Sequence, residues 1–177
     1  MIYDSEETED TMQDLFLIFT VKNRDYGIEI RYLIEIIAMQ PITEIMNLPV
    51  FIKGVINLRG KIIPVIDVRL RFGLDFIDYH DRTCILIVSV NDLQVGLIVD
   101  SVKEVLRINK NQIEEAPNFG DFANEKLISA VGKVGDSLKI LLNLEKLVYD
   151  KNLEHVAKLL NTGSFEQNAT IQNSSKG

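Results

Sequence analysis

Apolar, mostly β-branched and aromatic residues fill Leu15 to Val21, a polar turn follows at Lys22 to Asp25, and apolar and polar positions alternate from Tyr26 to Ile30. That order predicts a hairpin, because a β-branched run suits a pleated strand and alternation suits a strand with one buried face. Leu33, Ile34, Ile36 and Ile37 come next with a helix-like or bulged spacing, and Pro41 and Pro49 punctuate a further strand expected around Ile42 to Met46. Ile52 to Leu58 and Lys61 to Val68 flank Arg59-Gly60, a second hairpin whose glycine supplies the positive φ of a tight turn. After a polar joint at Asp75 to Arg82, strands are expected at Cys84 to Val90, Gln94 to Val99 and Val102 to Ile108. Leu127 to Val134 and Leu138 to Leu142 close a last hairpin around Gly135-Asp136. Leu144, Leu147 and Val148, then Leu153, Val156, Ala157 and Leu160, recur at helical spacing and predict a C-terminal helix over 144–160.

The later strands repeat the earlier ones. Laid without a gap over Ile85 to Val105, the segment Phe16 to Ile36 pairs Gly27 with Gly96, Leu33 with Val102 and Glu35 with Glu104. About seven extra residues then intervene, after which Lys53-Gly54-Val55 meets Ser129-Ala130-Val131 and Ile66-Asp67-Val68 meets Leu142-Asn143-Leu144. Two β units result, about 15–82 and 83–143, each with strands short enough for a small barrel. Residues 1–13 are expected to form a flexible segment and 161–177 a disordered tail, since neither has the apolar content to offset its ordering entropy.

The net charge of −7 argues against a general phosphate-backbone binder, which needs a concentrated basic face, so no nucleic-acid partner is expected. Arg69, Arg71 and nearby Lys61 are a local basic run inside an acidic chain. The acidic start lacks the basic and apolar regions of a secretory signal, and no apolar run approaches the roughly 20 residues that span a bilayer. Direct membrane insertion is therefore not expected, and the lone Cys84 agrees with a reducing cytoplasm.

Catalysis needs converging nucleophiles, bases or metal ligands, and the duplication carries no duplicated reactive set. His80 and Cys84 superficially resemble a base with its nucleophile, the one enzymatic alternative being a small Cys/His-dependent hydrolase. Cys84 opens an expected strand and His80 lies in a polar joint, so a buried thiol and a solvated histidine are the simpler reading, with no catalytic residue, metal or cofactor expected. Asp67 and Asp100 fall near strand ends, where a carboxylate holds a turn. Arg59 on a hairpin tip offers five donors at the edge of a rigid scaffold. It is either an anchor for a partner or half of a surface ion pair with Glu35, and the residues leave both open. Two barrels side by side make a groove that Leu33, Ile36 and Ile37 can line, suited to the apolar stripe of a helix.

Phe51-Ile52-Lys53-Gly54-Val55-Ile56-Asn57-Leu58-Arg59-Gly60, followed by Ile63-Pro64-Val65-Ile66-Asp67-Val68-Arg69, resembles the CheW-like family of bacterial chemotaxis coupling proteins. The resemblance extends from Phe16-Leu17-Ile18-Phe19 to Leu141-Leu142-Asn143-Leu144-Glu145-Lys146-Leu147, so that 14–150 is expected to be one such domain. It implies a mainly β fold of two intertwined SH3-like five-stranded barrels packed side by side. The implied function is a non-catalytic adaptor joining the regulatory domain of the histidine kinase CheA to the cytoplasmic tip of chemoreceptors, at membrane-associated arrays in the cytoplasm. A receptor helix would touch Leu33, Ile36, Arg59 and Val105, with Glu35 and Lys53 at the margin, and the kinase would meet Glu114 and the loop carrying Phe119. Other copies of the family are further candidate partners. Glu114 is acidic where enteric relatives are expected to be basic, and Cys84 replaces a branched aliphatic, which leaves a pilus-type chemosensory pathway as an alternative.

Overall fold

The computed structural model describes residues 12–116 and 127–161. Eleven strands lie along the chain: β1 Leu15–Val21, β2 Arg24–Glu29, β3 Leu33–Ala38, β4 Ile52–Leu58, β5 Lys61–Asp67, β6 Cys84–Val90, β7 Leu93–Val99, β8 Ser101–Arg107, β9 Ile113–Glu115, β10 Ile128–Val134 and β11 Ser137–Leu142. A one-turn helix α1, Val68–Arg71, follows β5, and α2, Leu144–Val148, and α3, Lys151–Asn161, follow β11. The helix expected over 144–160 is thus two helices, broken where Tyr149 turns extended.

The strands form a six-stranded sheet in the order β8-β1-β2-β11-β10-β9 and a five-stranded sheet in the order β3-β6-β7-β5-β4. The division expected near residue 82 separates the repeats but not the sheets. β1 and β2 of the first repeat take β8, β10 and β11 from the second, and β6 and β7 take β3, β4 and β5 from the first. The two halves are exchanged symmetrically, with parallel joints at equivalent places: Leu141 opposite Gly27, and Val65 opposite Gly96. Both glycines sit where a neighbouring strand presses close, an added Cβ meeting Leu141 Cδ2 at 2.9 Å or Ile85 Cγ2 at 2.8 Å.

Three apolar clusters explain why β1 and β6 read as unbroken apolar runs. Leu17, Phe19 and Val21 join Leu86, Val88 and Val90 in a core between the sheets, completed by Leu144, Leu147, Val148 and Leu153. The alternate residues Phe16 and Ile18 pack with Ile108 and Leu141 inside the six-stranded sheet, and Ile85 and Ile87 pack with Ile56, Ile63, Val65 and Ile98 inside the five-stranded one. A single sheet buries a face against itself only by curling, so both faces of β1 and β6 are buried and alternation disappears. Among the described residues no ladder joins the two edge strands of either sheet, so the expected barrels are seen as curled sheets, one with six strands rather than five.

The strand expected around Ile42 to Met46 is not formed. Thr43 alone bridges Val55, since Pro41 removes a donor and Asn47 turns left-handed at φ 65°. Its counterpart in the second repeat does form a strand: Glu114 of β9 faces Val131, the residue that aligns with Val55.

Asp67 and Asn143, aligned in the repeat, perform the same task. Each caps a helix, Leu70 N–H donating to Asp67 Oδ1 at 3.2 Å and Lys146 N–H to Asn143 Oδ1 at 3.1 Å. Asn143→Ala is expected to lower stability by about 1 kcal/mol, read in a denaturant melt, because α2 begins with an unsatisfied donor without it.

Candidate partner-binding surface

β3 is an edge strand whose residues alternate half-buried and exposed. Its register against β6 slips between Leu33 and Glu35, which inserts Ile34 as a bulge and accounts for the irregular apolar spacing. Leu33 packs against the central core, whereas Ile34 and Ile36 are 48% and 44% exposed. Ile34 was missed in the sequence because a bulge shifts which residue faces out, and no spacing rule locates the slip.

Arg59 and Gly60 both take positive φ, 51° and 83°, at the β4–β5 turn, whose Asn57 Oδ1 accepts from Gly60 N–H at 2.9 Å. This is the backbone of a tight hairpin, and it projects the arginine. Arg59 Nη1 and Nη2 donate to Glu35 Oε1 and Oε2 at 2.5 and 2.8 Å. The Arg59 hydrogen bond holds the Glu35 carboxyl below its ordinary range, and the carboxylate raises the guanidinium. Both readings of Arg59 therefore meet in one geometry: the ion pair exists, and it fixes the direction of a side chain that is still 71% exposed. An exposed pair adds little stability but orients the donors left over. It also spans the sheet, from edge strand β3 to the hairpin ending in edge strand β4.

Lys53 lies on β4 with its ammonium 4.9 Å from the centre of the Phe76 ring, beside a cleft of about 270 Å³ that Met39, Ile42 and Tyr79 help line. Val105, the repeat counterpart of Ile36, is 49% exposed on β8 at the edge of the other sheet. Glu35 and Ile36 on edge strand β3 are thus brought together with Arg59 of the β4–β5 turn, and Val105 stands on an edge strand of the other sheet. Glu114 pairs with Lys133 at 2.6 Å, both exposed, and Phe119 lies outside the described residues.

The other polar constellations hold the fold. Asp67 Oδ2 accepts from Tyr79 Oη at 2.8 Å, a phenol pushed well up by burial and then by that carboxylate. Burial likewise raises the Cys84 thiol, the opposite of what a nucleophile needs, and His80 Nδ1 accepts from Arg82 N–H at 3.1 Å. Among the described residues no three His, Cys, Asp or Glu converge as metal ligands, and no helix is long and apolar enough to cross a membrane.

A duplicated, strand-exchanged pair of curled sheets with its polar groups engaged in turns and its apolar surplus on edge strands is a scaffold of the adaptor class. A family model described as a CheW-like domain matches residues 15–152, and the chain belongs to that family. It is 37% identical over 152 residues to the chemotaxis protein CheW of Klebsiella aerogenes, covering 84% of this chain and 92% of that one. It is 32% identical over 144 residues to the CheW of Helicobacter pylori, covering 81% and 85%. The crystal structure of the scaffolding protein TtCheW from Thermoanaerobacter tengcongensis superposes with a TM-score of 0.72 at 35% identity, covering 78% of this chain and 94% of that one. The protein is a chemotaxis coupling adaptor.

Proposed function

We propose that the protein couples the histidine kinase CheA to the cytoplasmic tip of chemoreceptors at membrane-associated arrays, without catalysis of its own. The receptor helix lies along edge strand β3, which carries Ile34 and Ile36, and beside Arg59, with Lys53 and Val105 at its borders. The kinase regulatory domain contacts Glu114 and Phe119. The observation that carries the reading is the Glu35–Arg59 pair: a bidentate clamp presents an exposed guanidinium beside two exposed isoleucines, so a helix with an apolar stripe and an acceptor at its flank meets donors already oriented. The repeat sharpens it. Glu104 aligns with Glu35, but the second repeat has Gly135 where the first has Arg59, so only one edge carries the clamp.

Titration with the CheA regulatory domain, followed by a receptor-tip fragment, is expected to give saturable 1:1 binding to each and raised kinase autophosphorylation when all three are present. Arg59→Ala is expected to weaken receptor binding by about tenfold and leave kinase binding intact, the loss typical of an interface anchor. Equal loss to both partners removes the assignment of the edge, and a folded protein that binds neither removes the coupling reading.

A further inference from the structure

The repeat supplies an internal control for a second feature, a cleft of about 360 Å³ lined by Thr20, Lys22, Arg69, His80, Arg82 and Asp100 among others. It lies where the β1–β2 turn, α1, the joint between the repeats and the β7–β8 junction meet. Among the described residues Asp100 is its only lining carboxylate, and Oδ2 is already taken by Arg69 Nη2 and by Lys22 N–H at 2.8 Å. Arg69 is buried, and its charge cancels that of Asp100. Among the described residues no acidic group pairs with the side chains of Lys22 or Arg82, so the cleft keeps about two uncompensated positive charges in a chain of net charge −7. The Thr20 and Ser101 hydroxyls, hydrogen-bonded to each other at 2.5 Å, add polar groups, and Ile77 adds an apolar wall.

The equivalent place in the other half of the pseudo-symmetric fold has the opposite character. Asn91-Asp92 aligns with Lys22-Asn23, Glu145 with Arg69 and Arg31 with Asp100, so acid and base exchange positions, Arg31 pairs at the surface with Glu29, and the turn lysine is missing. The scaffold therefore folds without a basic cleft. Lys22 also adopts φ 51°, a left-handed conformation that Asn91 reaches at φ 49° with less strain. A lysine kept at such a position, beside an unpaired arginine, is an observed strain that points to use of its charge.

We propose that this cleft binds a small phosphate-bearing anion. Lys22 Nζ and the Arg82 guanidinium supply charge-assisted donors, and the Thr20–Ser101 hydroxyl pair supplies the one O–H that their mutual bond leaves free. The cleft exceeds what inorganic phosphate fills, and Ile77 offers contact to the carbon skeleton of a phosphate monoester. Because the lining residues come from β1 and β8 of the six-stranded sheet, from α1 and from the joint between the repeats, bound anion would brace the β1–β2 turn against that joint.

The test is an amide NMR titration of the full chain with inorganic phosphate and with 3-phosphoglycerate, at constant ionic strength set by chloride. Saturable shifts centred on Lys22, Asn23, Arg82 and Ser101 are expected with both, tighter for 3-phosphoglycerate. Lys22→Asn with Arg82→Gln, the first copying the repeat, is expected to weaken binding at least about tenfold with an unchanged melting temperature. Lys61→Gln, away from the cleft, is expected to leave it intact. Linear, unsaturated shifts from both anions, shifts reproduced by chloride, or full binding by the double variant would each overturn the proposal. Saturation by phosphate with no gain from 3-phosphoglycerate would overturn the part assigned to Ile77.

Discussion

Gly54→Ala is expected to destabilise the protein by about 3 kcal/mol or more, a size reached only when a buried position has no room to relax. Gly54 is buried on β4 with φ 140°, in a region that L side chains rarely occupy. A Cβ there would lie 2.0 Å from the Thr43 carbonyl oxygen and 2.8 Å from its carbonyl carbon. That backbone has nowhere to retreat, because Thr43 N–H donates to Val55 O at 2.8 Å and Val55 N–H donates to Thr43 O at 2.9 Å. The melting temperature should fall by roughly 6 to 12 °C for a chain of this size. The repeat again provides the comparison, since Ala130 holds the matching position, opposite Glu115 in an ordinary antiparallel ladder. Ala130→Gly should cost only about 0.5 to 1 kcal/mol, the backbone-entropy difference between the two residues. Thermal melts of both variants decide the matter: equal, small losses would mean that the Thr43 segment yields and that the close approach is incidental.

That contrast also marks how far the sequence could be read. The overlay of the two halves, resumed after the seven or so extra residues, places Gly54 on Ala130 and Val55 on Val131, and Thr43 faces Val55 as Glu114 faces Val131. The hairpins were legible because their turns carry the chemistry the backbone needs, Arg59-Gly60, Asn91-Asp92 and Gly135-Asp136 between runs of matched length. Strand exchange was not legible in the hydrophobic pattern. Which sheet a strand joins depends on long-range pairings, such as Val65 with Gly96, that leave the same apolar signature whichever copy supplies the partner. Resemblance to the CheW-like family implied the intertwining that periodicity could not.

The candidate edge was partly legible. Arg59 attracts notice at a hairpin tip and Glu35 as a charge inside an apolar run, and they meet. Leu33 and Ile36 look alike in sequence, and only the bulge at Ile34 decides that one faces the core and the other the solvent. The asymmetry between the two halves is informative in the same way. Where the repeats agree, as at Asp67 and Asn143, the residue serves the fold; where they differ in charge, as at Arg59 and Gly135, the fold does not require the residue.

Asp25→Ala is the second change with a large expected effect, because it strands a buried cation. Asp25 on β2 accepts from Lys139 of β11 at 2.5 Å and from Lys103 of β8 at 2.8 Å, which ties three strands of the six-stranded sheet across both repeats. The Lys139 side chain is only 8% exposed, whereas that of Lys103 is 48% exposed and returns to water when its partner is lost. Removing Asp25 therefore leaves one charge buried and unpaired, at a cost of about 3 kcal/mol. Burial alone would raise the Asp25 carboxyl, but the hydrogen bonds from Lys103 and Lys139 outweigh it and hold the group below its ordinary range. A carboxyl depressed by folding contributes stability that is complete above its unfolded pKa of about 3.9 and is lost as pH falls through the lower folded value. Denaturant melts from pH 7 down to the acid limit should show the wild-type protein losing this contribution below about pH 4, with a shallower acid slope in Asp25→Ala. Replacing both partners, Asp25→Leu with Lys139→Met, should restore most of the loss at pH 7, because what costs stability is the unpaired ion and not the absence of the pair. A double variant as unstable as Asp25→Ala would instead mean that the carboxylate itself, through its two-lysine clamp on β2, β8 and β11, is what the sheet requires.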